Sequence, residues 1–233
     1  MKSLTSIILK LSLNWNFLAG WLLALATLTL MAFYVPPSIV GLDNNYLIFF
    51  YHFPSAIDCL VFFLIAGVAS AVHLWKKSPE ADRVAQSAVE VGLLACSVTL
   101  VTGMIWAKAA WGHWWIWTDP RLMAVAIMWF TYLGYLALRV AIETPAQRTR
   151  FAAVFGVLAA ANIPIVWYAP TLFQKGNHPK PQEMQFDTSI RITMWFGAQA
   201  FFVLYLAFLR LRARVARVRQ EAERLEELAL GPV

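Results

Sequence analysis

The residues of this chain best suited to chemistry are its four histidines, His52, His73, His113 and His178, and the segment from Trp111 to Leu122, WGHWWIWTDPRL. That segment holds Trp111, Trp114, Trp115 and Trp117, four of the eleven tryptophans, and follows them with Asp119, Pro120 and Arg121. Tryptophan is amphipathic and suits the headgroup level of a bilayer, but an interfacial anchor needs no such density. Four so close together, ending in a charged pair, suggest a surface built to receive something flat and apolar that carries acidic groups. Imidazole is a ligand for iron, zinc and copper. His52 and His178 lie on either side of the tryptophan segment in sequence.

The elements that must position these residues are hydrophobic helices. Of the 233 residues, 60% are hydrophobic and 14% charged, which excludes an ordinary soluble domain. Six apolar stretches reach the roughly 20 residues a spanning helix needs: Phe17–Val35, Phe53–Trp75, Ala85–Ala107, Leu122–Ile142, Phe151–Ala169 and Ile190–Leu209. Their connections are short, leaving no room for a nucleotide-binding or other soluble catalytic domain. The net charge of +6 points to a membrane rather than to nucleic acid because of where it falls. With the amino terminus inside, most basic residues lie on the inner side: Lys2, Lys10, Lys76, Lys77, Arg83, Arg139, Arg148, Arg150 and the arginines from Arg210 to Arg224. The positive-inside rule then predicts both termini in the cytoplasm and the tryptophan segment facing outward. His52, before Pro54 at the mouth of the second span, and His178, beside Pro179, fall in the first and third outer loops, whereas His73 is at the inner side.

Haem iron takes axial ligands from both faces of the ring. Two loop histidines with an aromatic floor between them therefore make a coherent haem site, against the plainer reading of polar residues at headgroup depth. No span carries a histidine near its centre, which disfavours a transmembrane electron carrier. Arg121 suits a carboxylate ligand such as a haem propionate, since its planar fork binds in a bidentate manner. The plainer alternative is a local ion pair of Asp119 with Arg121. Lys108 and Arg191, at the outer ends of spans three and six, either assist or anchor the interface. Asp58 and Glu90 are the acids within spans, where a charge is costly, and structural pairing is expected for both. Asn162 and Pro164 predict a helix distortion compensated by side-chain hydrogen bonding. Cys59 and Cys96 fit small buried hydrophobes, with no CxxC to suggest redox or zinc chemistry. The first span reads as retained rather than cleaved. The tail RLRARVARVRQEAERLEELAL reads as a charged amphipathic helix with Leu211, Val215, Val218, Leu225 and Leu228 on one face. It is either a cytoplasmic extension of the last span or a docking helix.

WGHWWIWTDPRL resembles the tryptophan-rich "WWD" signature, roughly WGxWWxWDxRLT, of the haem-handling proteins of cytochrome c maturation. Within that superfamily, FYHFPSAI around His52, the lead-in VTGMIWAKAAWG, and NIPIVWY from Asn162 are similar to the CcmC family, haem exporter protein C. The likeness runs from about Trp21 to Leu209. It implies haem held at the outer face by two loop histidines, which match His52 and His178, and presented to the haem chaperone CcmE. It also implies association with the ABC-type components CcmA and CcmB and with the small protein CcmD. Three departures stand out: Thr118 intervenes between Trp117 and Asp119, Met123 replaces a frequent threonine, and His113 fills a variable position. The inserted Thr118 predicts an Asp119 rotated relative to the tryptophans, and His113 becomes a rival second ligand.

The sequence thus predicts an all-α integral membrane protein, a bundle of six transmembrane helices with both termini cytoplasmic. Residues 1–209 form the membrane domain and 210–233 the charged helix. Its expected cargo is haem b, bound by His52 and His178 against Trp111, Trp114, Trp115 and Trp117, with Asp119 and Arg121 nearby. Located in a bacterial inner membrane, it would hand haem on without being an enzyme. The alternatives are a haem permease subunit of an ABC-type transporter, which needs a continuous polar pathway, and a b-type haem electron carrier, which needs intramembrane ligands.

Overall fold

The computed structural model describes residues 15–34, 47–173, 178 and 187–230, and every element among them is helical. In chain order these are α1 (Trp15–Tyr34), α2 (Phe49–Lys76), α3 (Pro79–Trp111), α4 (Pro120–Ala141), α5 (Pro145–Ala160), α6 (Asn162–Leu172) and α7 (Thr188–Leu230). Five helical segments are long and apolar enough to cross a membrane: α2, α3, α4, α7 and the continuous stretch of α5 with α6. A shorter apolar helix over Leu18–Tyr34 makes up the sixth segment and packs on α7. The anticipated helical membrane bundle is what the chain folds into. The basic residues Lys2, Lys10, Lys175 and Lys180, together with Pro36, Pro37, Pro179 and Pro181, lie outside the described residues.

Local sequence chemistry sets the helix ends. Lys77, at φ 51°, closes α2, and Ser78 then caps α3 by accepting from the Ala81 backbone N–H at 3.2 Å. Pro79 follows at the first helical position, where its missing N–H is no loss. At the far end of α3, Gly112 adopts φ 77° and its N–H returns to the Lys108 carbonyl at 3.1 Å, a left-handed cap that suits glycine. Asp119 then caps α4 ahead of Pro120. The tryptophan segment is therefore bracketed by a glycine stop and an aspartate start.

One expectation about the helices changes, and the two readings of the tail narrow to one element. The second helix begins at Phe49 rather than Phe53, with Pro54 inside it, so His52 sits in an early turn of α2 and not in a loop. The aromatic run from Phe49 to Phe53 drives this, because those rings pack on α3 and α7: Phe49 on Trp106 at 5.9 Å between centroids, Tyr51 on Phe201 at 6.4 Å and Phe53 on Trp195 at 5.9 Å. The charged tail, in turn, continues the sixth span without a break in the 43-residue α7. Leu211, Val215 and Val218 are half-buried along it, while Leu225 is exposed. The distortion expected at Asn162 and Pro164 takes the form of the break between α5 and α6, where Asn162 Nδ2 donates to the Ala124 carbonyl of α4 at 3.3 Å.

The core lies where α2 and α3 pair most extensively and α4, α5 and α7 close over them. Phe63 of α2 stacks face to face on Tyr132 of α4, with centroids 3.7 Å apart. Gly67 lets α5 approach closely, since a Cβ there would fall 2.6 Å from the Ala160 Cβ. Arg139 of α4 holds Asp82 of α3 in a buried bidentate pair at 2.6 and 2.8 Å, with Tyr135 Oη 3.3 Å from the same guanidinium. Glu90 is paired as expected, accepting from Arg212 of α7 and from Gln86. Asp58 departs from expectation: it is buried, and its Oδ2 has no hydrogen-bond partner among the described residues. Cys59 and Cys96 are buried and unbridged.

Candidate functional site

The first turns of α2, the last turns of α3, the tryptophan segment and the start of α4 converge around the histidine rings. His52 reaches across from α2 to α3, where its Nδ1 lies 3.1 Å from Thr102 Oγ1. The Thr102 hydroxyl has one proton, and it is committed to the Val98 carbonyl at 2.6 Å, with the Thr99 carbonyl 3.3 Å away. That commitment suits Thr102 to accept a proton held on His52 Nδ1.

His178 is anchored in the same sense by a different group. Its backbone N–H donates to Asp119 Oδ2 at 3.3 Å, and its Nδ1 lies 3.2 Å from both carboxylate oxygens. An ionised carboxylate only accepts, which suits a proton on His178 Nδ1 as Thr102 suits one on His52 Nδ1. Among the described residues neither Nε2 makes a hydrogen bond. Arg121 stands close enough to His52 for its charge to act on the ring, and His178 lies within the same electrostatic reach. Residues from distant parts of the chain are thereby gathered at one place.

Asp119 is fully buried and does two things with one carboxylate. Its Oδ1 accepts from the backbone N–H groups of Arg121 at 3.0 Å and Leu122 at 3.2 Å, capping α4, while the same group holds His178. Its carboxylate thus lies between the start of α4 and the His178 ring. The Asp119–Arg121 ion pair does not form: Arg121 meets Asp119 through its backbone, and its guanidinium Nη2 donates to the Trp167 carbonyl of α6 at 3.2 Å. One of five N–H donors is used there, which leaves the rest of the fork for an acidic ligand.

The tryptophans are not all alike. Trp111 sits edge-on to the His178 ring, with centroids 5.2 Å apart. Trp115 is partly buried and meets Trp117 at 5.9 Å, and its indole Nε1 is buried without a hydrogen-bond partner among the described residues. Trp114 and Trp117 are 53% and 76% exposed, so they present apolar surface outward. His113 is exposed and makes no hydrogen bond among the described residues, so nothing holds its ring in place. Lys108 Nζ donates to the Gly112 carbonyl at 2.9 Å and Arg191 Nη2 to Thr188 Oγ1 at 3.3 Å, both local helix-end contacts. His73 bonds the Ser78 carbonyl at the opposite end of α2.

The family described as Heme exporter protein C matches residues 3–227, nearly the whole chain. The chain belongs to this family. Among curated relatives, the Heme exporter protein C of Paracoccus denitrificans is 31% identical over 173 residues, covering 72% of this chain and 71% of the relative. That of Rhodobacter capsulatus is 27% identical over 225 residues, covering 91% and 93%, and that of Escherichia coli 25% identical over 228 residues, covering 91% of each. For this member of the family, sequence reasoning missed Thr102 and the Trp167 carbonyl. Thr102 sits in VTGMIWAKAAWG, a segment noticed for its resemblance alone, and its polar side chain inside an apolar span was the available signal. The Trp167 contact is made by a backbone carbonyl, for which side-chain patterns give no signal.

Proposed function

We propose that this chain binds haem at the outer face of a bacterial inner membrane, with the Nε2 atoms of His52 and His178 as axial ligands, and hands it to a CcmE-like haem chaperone. The observation that carries the reading is the matched state of the two rings: each is anchored at Nδ1 by an acceptor, and each leaves Nε2 without a partner among the described residues. Histidines that ligate metals characteristically donate the other ring N–H to a carboxylate, carbonyl or comparable acceptor, which fixes the tautomer. The Trp111 edge and the exposed faces of Trp114 and Trp117 supply apolar surface for the macrocycle. Arg121 supplies charge for a propionate, and the unpartnered Trp115 N–H supplies a donor.

Haem is cargo in this reading, so the chain needs ligands that hold and then release. Release follows exchange of an axial ligand for one from the chaperone, with no bond chemistry by this chain, which therefore acts as a haem-handling subunit and not as an enzyme. The names of the relatives support export of haem, and partners of the CcmA, CcmB and CcmD kind fit such a complex. A haem permease is less well supported: Asp58, Glu90 and Asn162 are polar residues of the spans, but Glu90 and Asn162 are already engaged with neighbouring helices.

The test is transfer. Membranes carrying His52→Ala or His178→Ala are expected to load less than about a tenth of the wild-type amount of haem onto the chaperone, at equal protein level. Undiminished loading by both variants contradicts the reading.

A further inference from the structure

The His52 ring lies in a shallow recess on α3 made by neighbouring residues of that helix. Thr102 faces the ring with its hydroxyl and Gly103 with its bare Cα. A Cβ at Gly103 would stand 3.0 Å from His52 Cε1, 3.5 Å from Nδ1 and 3.9 Å from Nε2, so a side chain there would press on the ring and displace it slightly from its seat on the helix. The recess therefore fixes how deep the ring lies, and the Thr102 bond fixes which edge points inward.

We propose that Thr102 is a positioning residue for haem capture, accepting the Nδ1 proton of His52 and so presenting the Nε2 lone pair to the iron, in a recess that Gly103 keeps open. This deepens the reading of His52 as a haem ligand and rests on it. The chemistry is dictated by proton count. The Thr102 hydroxyl already donates to Val98, and the neighbouring Thr99 carbonyl is an acceptor only. The group offered to Nδ1 is therefore an acceptor, and the imidazole satisfies it only with a proton on Nδ1. A neutral histidine in water favours the proton on Nε2, the tautomer that cannot ligate through that atom. Thr102 reverses that preference before haem arrives, so capture does not wait for a proton to move. The partners also differ across the site: Asp119 gives His178 a charged acceptor, whereas Thr102 gives His52 a neutral one.

The tautomer is measurable without haem, which separates this proposal from the function it deepens. In haem-free protein carrying ¹⁵N-histidine at mildly alkaline pH, the four histidines are few enough for His52 to be assigned by its loss in His52→Gln. The expected signature is a protonated Nδ1 and an unprotonated Nε2 in the wild type and in Thr102→Ser, and the reverse in Thr102→Val. Haem titration of the same proteins is expected to show affinity weakened about 10- to 100-fold in Thr102→Val, the range for loss of a partner behind a metal ligand, and restored in Thr102→Ser. A wild-type His52 protonated on Nε2 overturns the proposal, as does a Thr102→Val protein that binds haem like the wild type. Should Thr102→Val fail to fold, the wild-type tautomer alone decides. Haem affinity unchanged in His52→Ala would instead sink the ligand assignment, and with it the positioning role of Thr102.

Discussion

Asp119 concentrates two demands on one carboxylate, and substitutions at that position separate them. As the cap of α4 it satisfies two backbone N–H groups, and as the partner of His178 it fixes a ring. Asn keeps an oxygen for the cap but offers the histidine an amide donor where an acceptor stood. Asp119→Asn is therefore expected to fold with near wild-type thermal stability in detergent while losing most haem binding, because the His178 proton is driven to Nε2. Asp119→Ala is expected to lose both, with about 0.5–2 kcal/mol of stability gone with the cap. Equal haem affinity in Asp119→Asn and wild type would show that the carboxylate is only structural. At this scale the sequence was informative about types and poor about partners. The histidines, tryptophans and Arg121 stood out by residue type. What Asp119 and Thr102 touch did not, because each contact joins segments remote from one another along the chain.

Between elements, a strong polar tie is the buried pair of Arg139 and Asp82, which locks α4 to α3 at the end away from His52 and His178. Arg139 read in sequence as one more inner-side cation. The two side chains are only 8% and 4% exposed, so each would leave a buried, unmatched charge if the other were removed. Breaking such a pair costs about 3–5 kcal/mol, whereas replacing both partners costs far less. Arg139→Leu is accordingly expected to lower the unfolding temperature in detergent strongly, and adding Asp82→Leu to recover a large part of the loss. A double variant as unstable as the sum of the single ones would contradict this. Lysine cannot reproduce the fork geometry, so Arg139→Lys is expected to fall between. The helix ends were far more legible than this tie. Ser78 with Pro79, Gly112, and Asp119 with Pro120 announce their roles through local backbone chemistry, whereas the early start of α2 depends on where its aromatic rings pack.

Across the whole molecule, the site and the charged tail belong to opposite ends of the bundle. The α7 tail is tied at that far end, where Arg212 meets Glu90 and Gln220 accepts from Arg83 Nη1 at 2.8 Å. The proposed orientation, argued from the distribution of basic residues, puts that end in the cytoplasm and the tryptophan segment outside. A cysteine introduced at the exposed Thr118 is expected to react with a membrane-impermeant maleimide in intact cells, and one at Arg217 only after permeabilisation. The native cysteines are buried and give a low background. The reverse labelling pattern would invert the topology and put the histidines on the wrong side for delivery outward. Hydrophobic patterning made the bundle legible, since in lipid each span must satisfy its own backbone. Patterning carries no information on which ring nitrogen faces a ligand.

Haem iron held jointly by His52 and His178, as proposed, gives a distinctive electron paramagnetic resonance signal in the purified, haem-loaded protein, supported by its absorption spectrum. The account predicts a low-spin signal of bis-histidine ligation in the wild type. In His52→Ala and in His178→Ala alike, that signal should give way to a high-spin one or to loss of haem, while His113→Ala keeps it. A wild-type low-spin signal surviving in either His52→Ala or His178→Ala would contradict the account.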